Sequence, residues 1–311
     1  MTAKQPENRM QNIGNPLQIP NGREGLTDYI RSFDRNAPPY YAGRKRLLSG
    51  IEDICGEIWE KHEQNLQQRK GLTRVIYGAP GAGKSSTLMF LQHAWQQGVH
   101  MTADATGCER PGPTPVMLYS GSGGILHSLP MLCEDLVDLV APERSKDLFV
   151  AFSETIRVSS GGSAGFVKGG IEREKTTHYE AVTAGLKTVA KLLPPEQWKR
   201  PVVIGVDEAQ NLPGDRHSPV GELLQALHAN DVNLPVLVVL AGLSDSRERI
   251  SELGLSRLSK HSIYSMNGLD AAEIEELKEG FCVHFDIDLG NHADEFDALL
   301  QRTDGWAAHL Q

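Results

Sequence analysis

The sequence predicts an α/β fold: a doubly wound, five-stranded parallel sheet with helices on both faces and a small helical segment at the C-terminus. Three observations predict it. Four short aliphatic runs, TRVIY (73–77), PVMLYS (115–120), PVVIGV (201–206) and PVLVVLAG (235–242), are continuously apolar rather than alternating. Strands buried on both faces read that way. Stretches of helical spacing separate them, and a glycine-rich turn follows the first run directly.

Taken in order, residues 1–25 are rich in Asn, Gln, Pro and Gly with little apolar content, which predicts a flexible N-terminal arm. The α/β domain is expected over 26–266. Leu47, Ile51, Ile54 and Ile58 recur at helical spacing as far as Trp59, and a polar stretch leads to the first strand. Helices are expected at 84–97, 124–140, 179–193, 218–229 and 245–254, with SIYSM (262–266) as a weaker fifth strand. The interval of about 121–199 is long for a crossover and reads as an insertion. It contains SSGGSAGFVKGG (159–170). Beyond Met266, helices at 270–280 and 292–301 form a short lid over 267–311. The sequence stops within a helix, so that lid is expected to be abbreviated or completed by a partner.

Composition bounds the functional classes. The chain has 311 residues, 40% hydrophobic and 23% charged, with a net charge of −9. An acidic balance argues against non-specific nucleic-acid binding by the whole surface, while the basic cluster Arg44-Lys45-Arg46 leaves a local contact open. Cys55, Cys108, Cys133 and Cys282 lie far apart, with neither zinc-ligand nor disulfide-framework spacing. The polar start lacks the apolar core of a signal peptide, and no apolar run is long enough to span a membrane. The expectation is a soluble cytoplasmic protein.

The chemistry concentrates in GAPGAGKSS, residues Gly78, Ala79, Pro80, Gly81, Ala82, Gly83, Lys84, Ser85 and Ser86. The pattern G-x-x-x-x-G-K-[ST] between a strand and an amphipathic helix is a phosphate-binding loop. Glycines let backbone N–H groups converge on a phosphate, and the helix start adds its positive end. Lys84 is expected on the β- and γ-phosphates of a nucleoside triphosphate, and Ser85 on Mg²⁺. A second signal closes the third strand: Asp207 is placed to hold the metal, and Glu208 to polarise the attacking water. A phosphotransferase has no need of that second carboxylate, so the pair favours hydrolysis over kinase chemistry.

These two motifs together resemble the AAA+ ATPases, in particular their bacterial and origin-recognition-like branch. Three further stretches are similar to that family over residues 40–311. YYAGRKRLLSGIED (40–53) implies Gly43 and Arg44 near the adenine, and VVLAGLSDS (238–246) implies Ser244 as the sensor-1 residue. GLSRLSKHSIYSM (254–266) implies Arg257 as an arginine finger offered to a neighbouring subunit, with Arg247 and Arg249 as competitors. A solvated arginine or a local ion pair would look the same in sequence. Two positions depart from the family. Ser244 is shorter than the usual Asn or Thr, and in DGWAAHLQ (304–311) Ala308, followed by His309, stands where a sensor-2 arginine is expected.

The resemblance implies Mg²⁺-dependent ATP hydrolysis that drives remodelling of a protein or nucleoprotein partner, in a homo-oligomer. The alternative is a nucleotide-state switch with negligible turnover. Gly161 to Gly165 also fit G-x-S-x-G, but no helix-forming sequence follows. A mobile insertion loop, or one that presents Phe166 and Val167 to a substrate, suits that segment better.

Overall fold

The computed structural model describes residues 43–64, 72–96, 114–122, 129–148, 151, 182–229, 232–255, 258 and 262–306. The described chain divides into two compact units that interleave along the sequence. One takes Met1–Glu52, Gly78–Val116 and Ser265–Gln311; the other takes Asp53–Tyr77 and Met117–Tyr264.

The second unit holds most of a five-stranded sheet. Its strands are β1 (Thr73–Gly78), β2 (Val116–Ser120), β3 (Val202–Asp207), β4 (Val236–Gly242) and β5 (Ile263–Met266). Their spatial order is β2-β3-β4-β1-β5, and β4 runs parallel to both of its neighbours. All seven residues of β4 are buried, and all of β3 except Asp207, whereas β5 at the edge buries only Met266. The gradient explains the sequence pattern. Central strands covered on both faces are wholly aliphatic, and the edge strand, SIYSM, is mixed.

The register decides which strand ends meet. Val75 of β1, Leu240 of β4 and Val206 of β3 lie on one level, and Tyr77 is level with Gly242. β1, β4 and β3 therefore finish within two residues of each other, at the carboxyl edge where open α/β sheets bind ligands. The core on one face of the sheet is a continuous cluster. It includes Val202, Ile204 and Val206 of β3, Val238 and Leu240 of β4, and Leu132 and Leu136 of a covering helix.

The helices are α1 (Lys45–Glu63), α2 (Lys84–Gln96), α3 (Leu129–Val140), α4 (182–192), α5 (Pro219–Ala229), α6 (Ser246–Glu252), α7 (Ala271–Phe285) and α8 (Ala293–Arg302). α3 is tied to β2 by Tyr119, whose phenol donates to Asp135 Oδ2 at 2.8 Å. Burial, reinforced by that carboxylate, raises the Tyr119 pKa above its ordinary value. No described helix is long and apolar enough to cross a membrane.

The first unit holds α2 and the C-terminal helices. α7 starts with a complete capping box: Glu273 N–H donates to Asp270 Oδ1 at 2.9 Å, and Asp270 N–H donates to Glu273 Oε2 at 3.0 Å. It runs past the expected end at residue 280 to Phe285, which is fully buried, packs on Phe281 and Ile287, and precedes a left-handed Asp286. Lys278 bridges to Asp297 at 2.6 Å and so joins α7 to α8.

Candidate nucleotide-binding site

β1 delivers the chain into the glycine loop, and α2 begins at Lys84. Gly81 and Gly83 have φ of 79° and 90°, backbone that L side chains rarely adopt, so these two glycines are what the turn requires. Gly78 answers a different need, because a Cβ there would stand 2.2 Å from Met266 O. Lys84 is buried and folds back over the loop: its Nζ donates to Gly78 O at 3.0 Å and Ala79 O at 2.8 Å. The lysine thus closes the loop into a ring of backbone around its own ammonium group. Thr87, one turn on, donates through Oγ1 to Gly83 O at 2.9 Å and keeps the start of α2 tight. Such a turn, with glycine-shaped backbone, a helix N-terminus and a buried cation, is built to receive an anion.

The second turn lies at the end of β3 and has a different construction. Asp207 is half-buried and accepts Glu208 N–H at 2.8 Å through Oδ1. Glu208 is exposed and left-handed, with φ 53° and ψ 43°. Such a conformation costs a non-glycine residue about 1–2 kcal/mol and persists only where its surroundings enforce it. Here the enforcing contacts come from the neighbouring strand. Ser120 donates to Glu208 Oε2 at 3.1 Å, and Ser122 Oγ lies at 3.5 Å from the same oxygen. Asn211 Nδ2 adds a donor at 3.4 Å. Gly121 N–H donates to Asp207 O at 2.7 Å, and a Cβ on Gly121 would fall 2.3 Å from Glu208 O.

Ser120, Gly121, Ser122 and Asn211 are therefore site residues that sequence reasoning missed. The available signal is the small polar run SGS closing the second strand. It acquires meaning only once β2 is known to pair with β3. Gln210 extends the arrangement, since its Oε1 accepts Leu243 N–H at 3.2 Å. The turn after β4, with Ser244 exposed at its tip, is thereby tied to the acidic turn.

The remaining expected residues divide as follows. Gly43 and Arg44 share a compact unit with the glycine loop, Gly78–Ser86, while Asp207, Glu208 and Ser244 belong to the sheet unit. Arg44 donates to backbone carbonyls, Ala82 O among them at 3.3 Å. Arg249 is paired with Glu252 at 3.1 Å. Arg247 is exposed beside a cavity of about 180 Å³, lined also by Val75, Tyr77, Ile250, Leu255 and Ile263. Ligand pockets usually measure roughly 300–1,000 Å³, so that cavity is too small to hold a whole nucleotide. Arg257, Ala308, His309 and the segment 161–167 lie outside the described residues.

The metal expectation can be tested against the donor set. Among the described residues no group of three or more His, Cys, Asp or Glu is placed to hold a metal ion. An all-protein site for zinc or calcium would need such a group. The expected donors are a carboxylate, Asp207, and a hydroxyl, Ser85, oxygen ligands of the kind Mg²⁺ takes while keeping several waters and further oxygens from phosphates.

The sequence matches no protein-family model and no curated protein. Among solved structures, the chain is similar to the Walker-type ATPase PABY2304 of Pyrococcus abyssi. The two share 18% identity over 94% of this chain and 67% of that one, with a TM-score of 0.37. A likeness that weak adds nothing to the argument for function, which rests on the two turns themselves.

Proposed function

We propose that the chain binds ATP with Mg²⁺ and hydrolyses it, and that it is an AAA+ module acting on a protein or nucleoprotein partner as a homo-oligomer. The observation that supports nucleotide binding most directly is the glycine loop closed around Lys84 immediately after β1. β1 and β3 flank β4, two strand spacings or about 10 Å apart, with their ends nearly level. In this reading both turns serve one triphosphate. Lys84 moves from the loop carbonyls to the β- and γ-phosphates, and Ser85 and Asp207 hold the metal, which neutralises phosphate charge when bound. Glu208 takes a proton from the attacking water. Ser244 lies along the γ-phosphate side, and Arg257 acts across a subunit interface on charge developing in the transition state.

A second reading, a nucleotide-state switch with little turnover, has its own support. Glu208 Oε2 is already engaged by Ser120 and Asn211. In this reading those donors hold the carboxylate turned away from the attacking water. Turnover would then wait on a partner or a conformational change.

Phosphate release by wild type and Glu208→Gln separates these readings. Hydrolysis predicts a loss of about 10²- to 10⁴-fold in the variant, with ATP binding retained. Equal, negligible release from both under every oligomeric and partner condition would sink it. Partner binding that differs among ATP, ADP and empty states would then favour the switch.

A further inference from the structure

Arg44 gathers three segments of its unit into one place. Its side chain is only 11% exposed, and its guanidinium donates to Ala82 O at 3.3 Å, to Asn267 O, and to Gly268 O at 3.5 Å. Its backbone N–H donates to Glu273 Oε1 at 2.6 Å, and Nη1 lies 3.8 Å from Glu273 Oε2. Three of these partner residues, Asn267, Gly268 and Glu273, belong to β5's exit and the first turn of α7; the fourth, Ala82, sits inside the glycine loop. The geometry is costly to form. Gly43 and Arg44 are consecutive left-handed residues, with φ of 74° and 57°. For Arg44 that conformation costs about 1–2 kcal/mol, which surrounding contacts must offset.

The contact with Ala82 has a consequence for the loop. In a trans peptide the C=O and the following N–H point in opposite directions, and the described chain has no cis peptide bond. Holding Ala82 O toward Arg44 therefore turns the Gly83 N–H away from it. Gly83, at φ 90°, can accept that orientation without strain. An arginine is suited to the task, because its planar fork serves several carbonyls at once from a fixed plane.

We propose that Arg44 is a positioning residue that couples the phosphate loop to the C-terminal helices. It fixes the direction of the Gly83 amide and transmits occupancy of the loop to the first turn of α7. The inference deepens the nucleotide-binding reading and rests on it for the ligand. The brace between Ala82 and the turn before α7 stands on the hydrogen bonds of Arg44 themselves.

The test uses the full chain as wild type, Arg44→Ala, Arg44→Lys and Glu273→Gln. Hydrogen exchange is followed over 79–88 and 267–275, with and without Mg-ATP, beside calorimetric titration of Mg-ATP. Without nucleotide, Arg44→Ala is expected to speed exchange in both segments together. Arg44→Lys should restore part of the protection, since an ammonium can reach one carbonyl but cannot bridge several. With nucleotide, affinity should fall about tenfold in Arg44→Ala, the loss of one charge-assisted hydrogen-bond network. At saturation wild type is expected to slow exchange over 267–275, and Arg44→Ala is expected not to. A purely structural role would lower stability but leave that nucleotide-induced slowing in place, and this result would overturn the proposal. So would a change in one segment alone.

If Arg44→Ala does not fold, Glu273→Gln carries the same test. It keeps an acceptor for the cap and removes the charge facing Arg44, so a smaller joint change in both segments is expected, and no joint change counts against the brace. No heat from wild type with Mg-ATP would refute the nucleotide reading, and with it transmission of occupancy. The ligand-free exchange arm would still decide the brace by itself.

Discussion

The turn after β1 and the turn after β3 both close a buried parallel strand, yet they are held in opposite ways. In the first, Lys84 bonds to Gly78 O and Ala79 O, partners five and six residues away, and the unusual backbone sits on glycine. In the second, the left-handed residue is a glutamate, and its side chain is met by Ser120, 88 residues upstream in sequence. A short motif can specify the first turn because it contains its own partners. The second is specified by the pairing of β2 with β3 and by the absence of a side chain at Gly121. One turn is portable; the other exists only inside this sheet.

The largest expected effect comes from breaking the self-contained turn. Lys84→Ala should weaken Mg-ATP binding by about 100-fold, near the upper end for a hydrogen bond to a charged group. Calorimetry on the wild type and variant measures it. Retained affinity would mean that the loop does not use its lysine on phosphate.

A smaller effect, confined to the other turn, is expected from Gly121→Ala. The new Cβ would stand 2.3 Å from Glu208 O, against backbone that cannot move cheaply. A destabilisation of about 1–3 kcal/mol is expected in denaturant unfolding, together with slower phosphate release. Mg-ATP affinity should hold close to wild type. A variant that loses nucleotide affinity while keeping its stability would reverse the comparison drawn between the turns.

The smallest effect concerns the scaffold beneath both. His228 on α5 shares a hydrogen bond of 3.1 Å with Thr73 Oγ1 at the start of β1. Burial, and to a lesser degree Arg74, holds its pKa below the ordinary 6.5. His62 and His284 are lowered chiefly by burial as well. The unfolded chain therefore binds more protons than the folded one as pH falls below 6.5. The contribution of these groups is fully present above that pH and is lost below it. Urea midpoints should be flat from pH 8 to 7 and decline toward pH 5, and His228→Asn should remove part of the decline. A midpoint that rises on acidification would contradict the assignment.

Much of the fold was legible from the sequence because the central strands are covered on both faces. The run at 235–242 became β4 over Val236–Gly242, all of it buried, and 201–206 became β3 over Val202–Asp207. Helix ends were less legible. The expected end of α7 at Gly280 reflects glycine's cost of about 1 kcal/mol in a helix. The helix continues because Phe281 and Phe285 meet edge to face, ring centres 4.8 Å apart, in a small core of their own. Local propensity lost to packing there.

The candidate site followed the same division. The loop, the expected metal ligands and the acid pair were named from motif and spacing. Ser120, Ser122 and Asn211 were not, because a serine at a strand end has no distinctive signature until its neighbour is known. Arg44 was expected near the base through resemblance. Its observed partners, Ala82, Asn267, Gly268 and Glu273, include three that lie more than 220 residues away, beyond the reach of any local pattern.

By itself, the sequence determined the strands, the glycine turn and the chemical types of the acting groups. These depend on burial of aliphatic runs and on backbone freedom at single residues, both local properties. Tertiary structure alone decided the strand order, the serines that hold Glu208 and the arginine that braces the loop. Each of those depends on a hydrogen bond between segments brought together only when the chain packs.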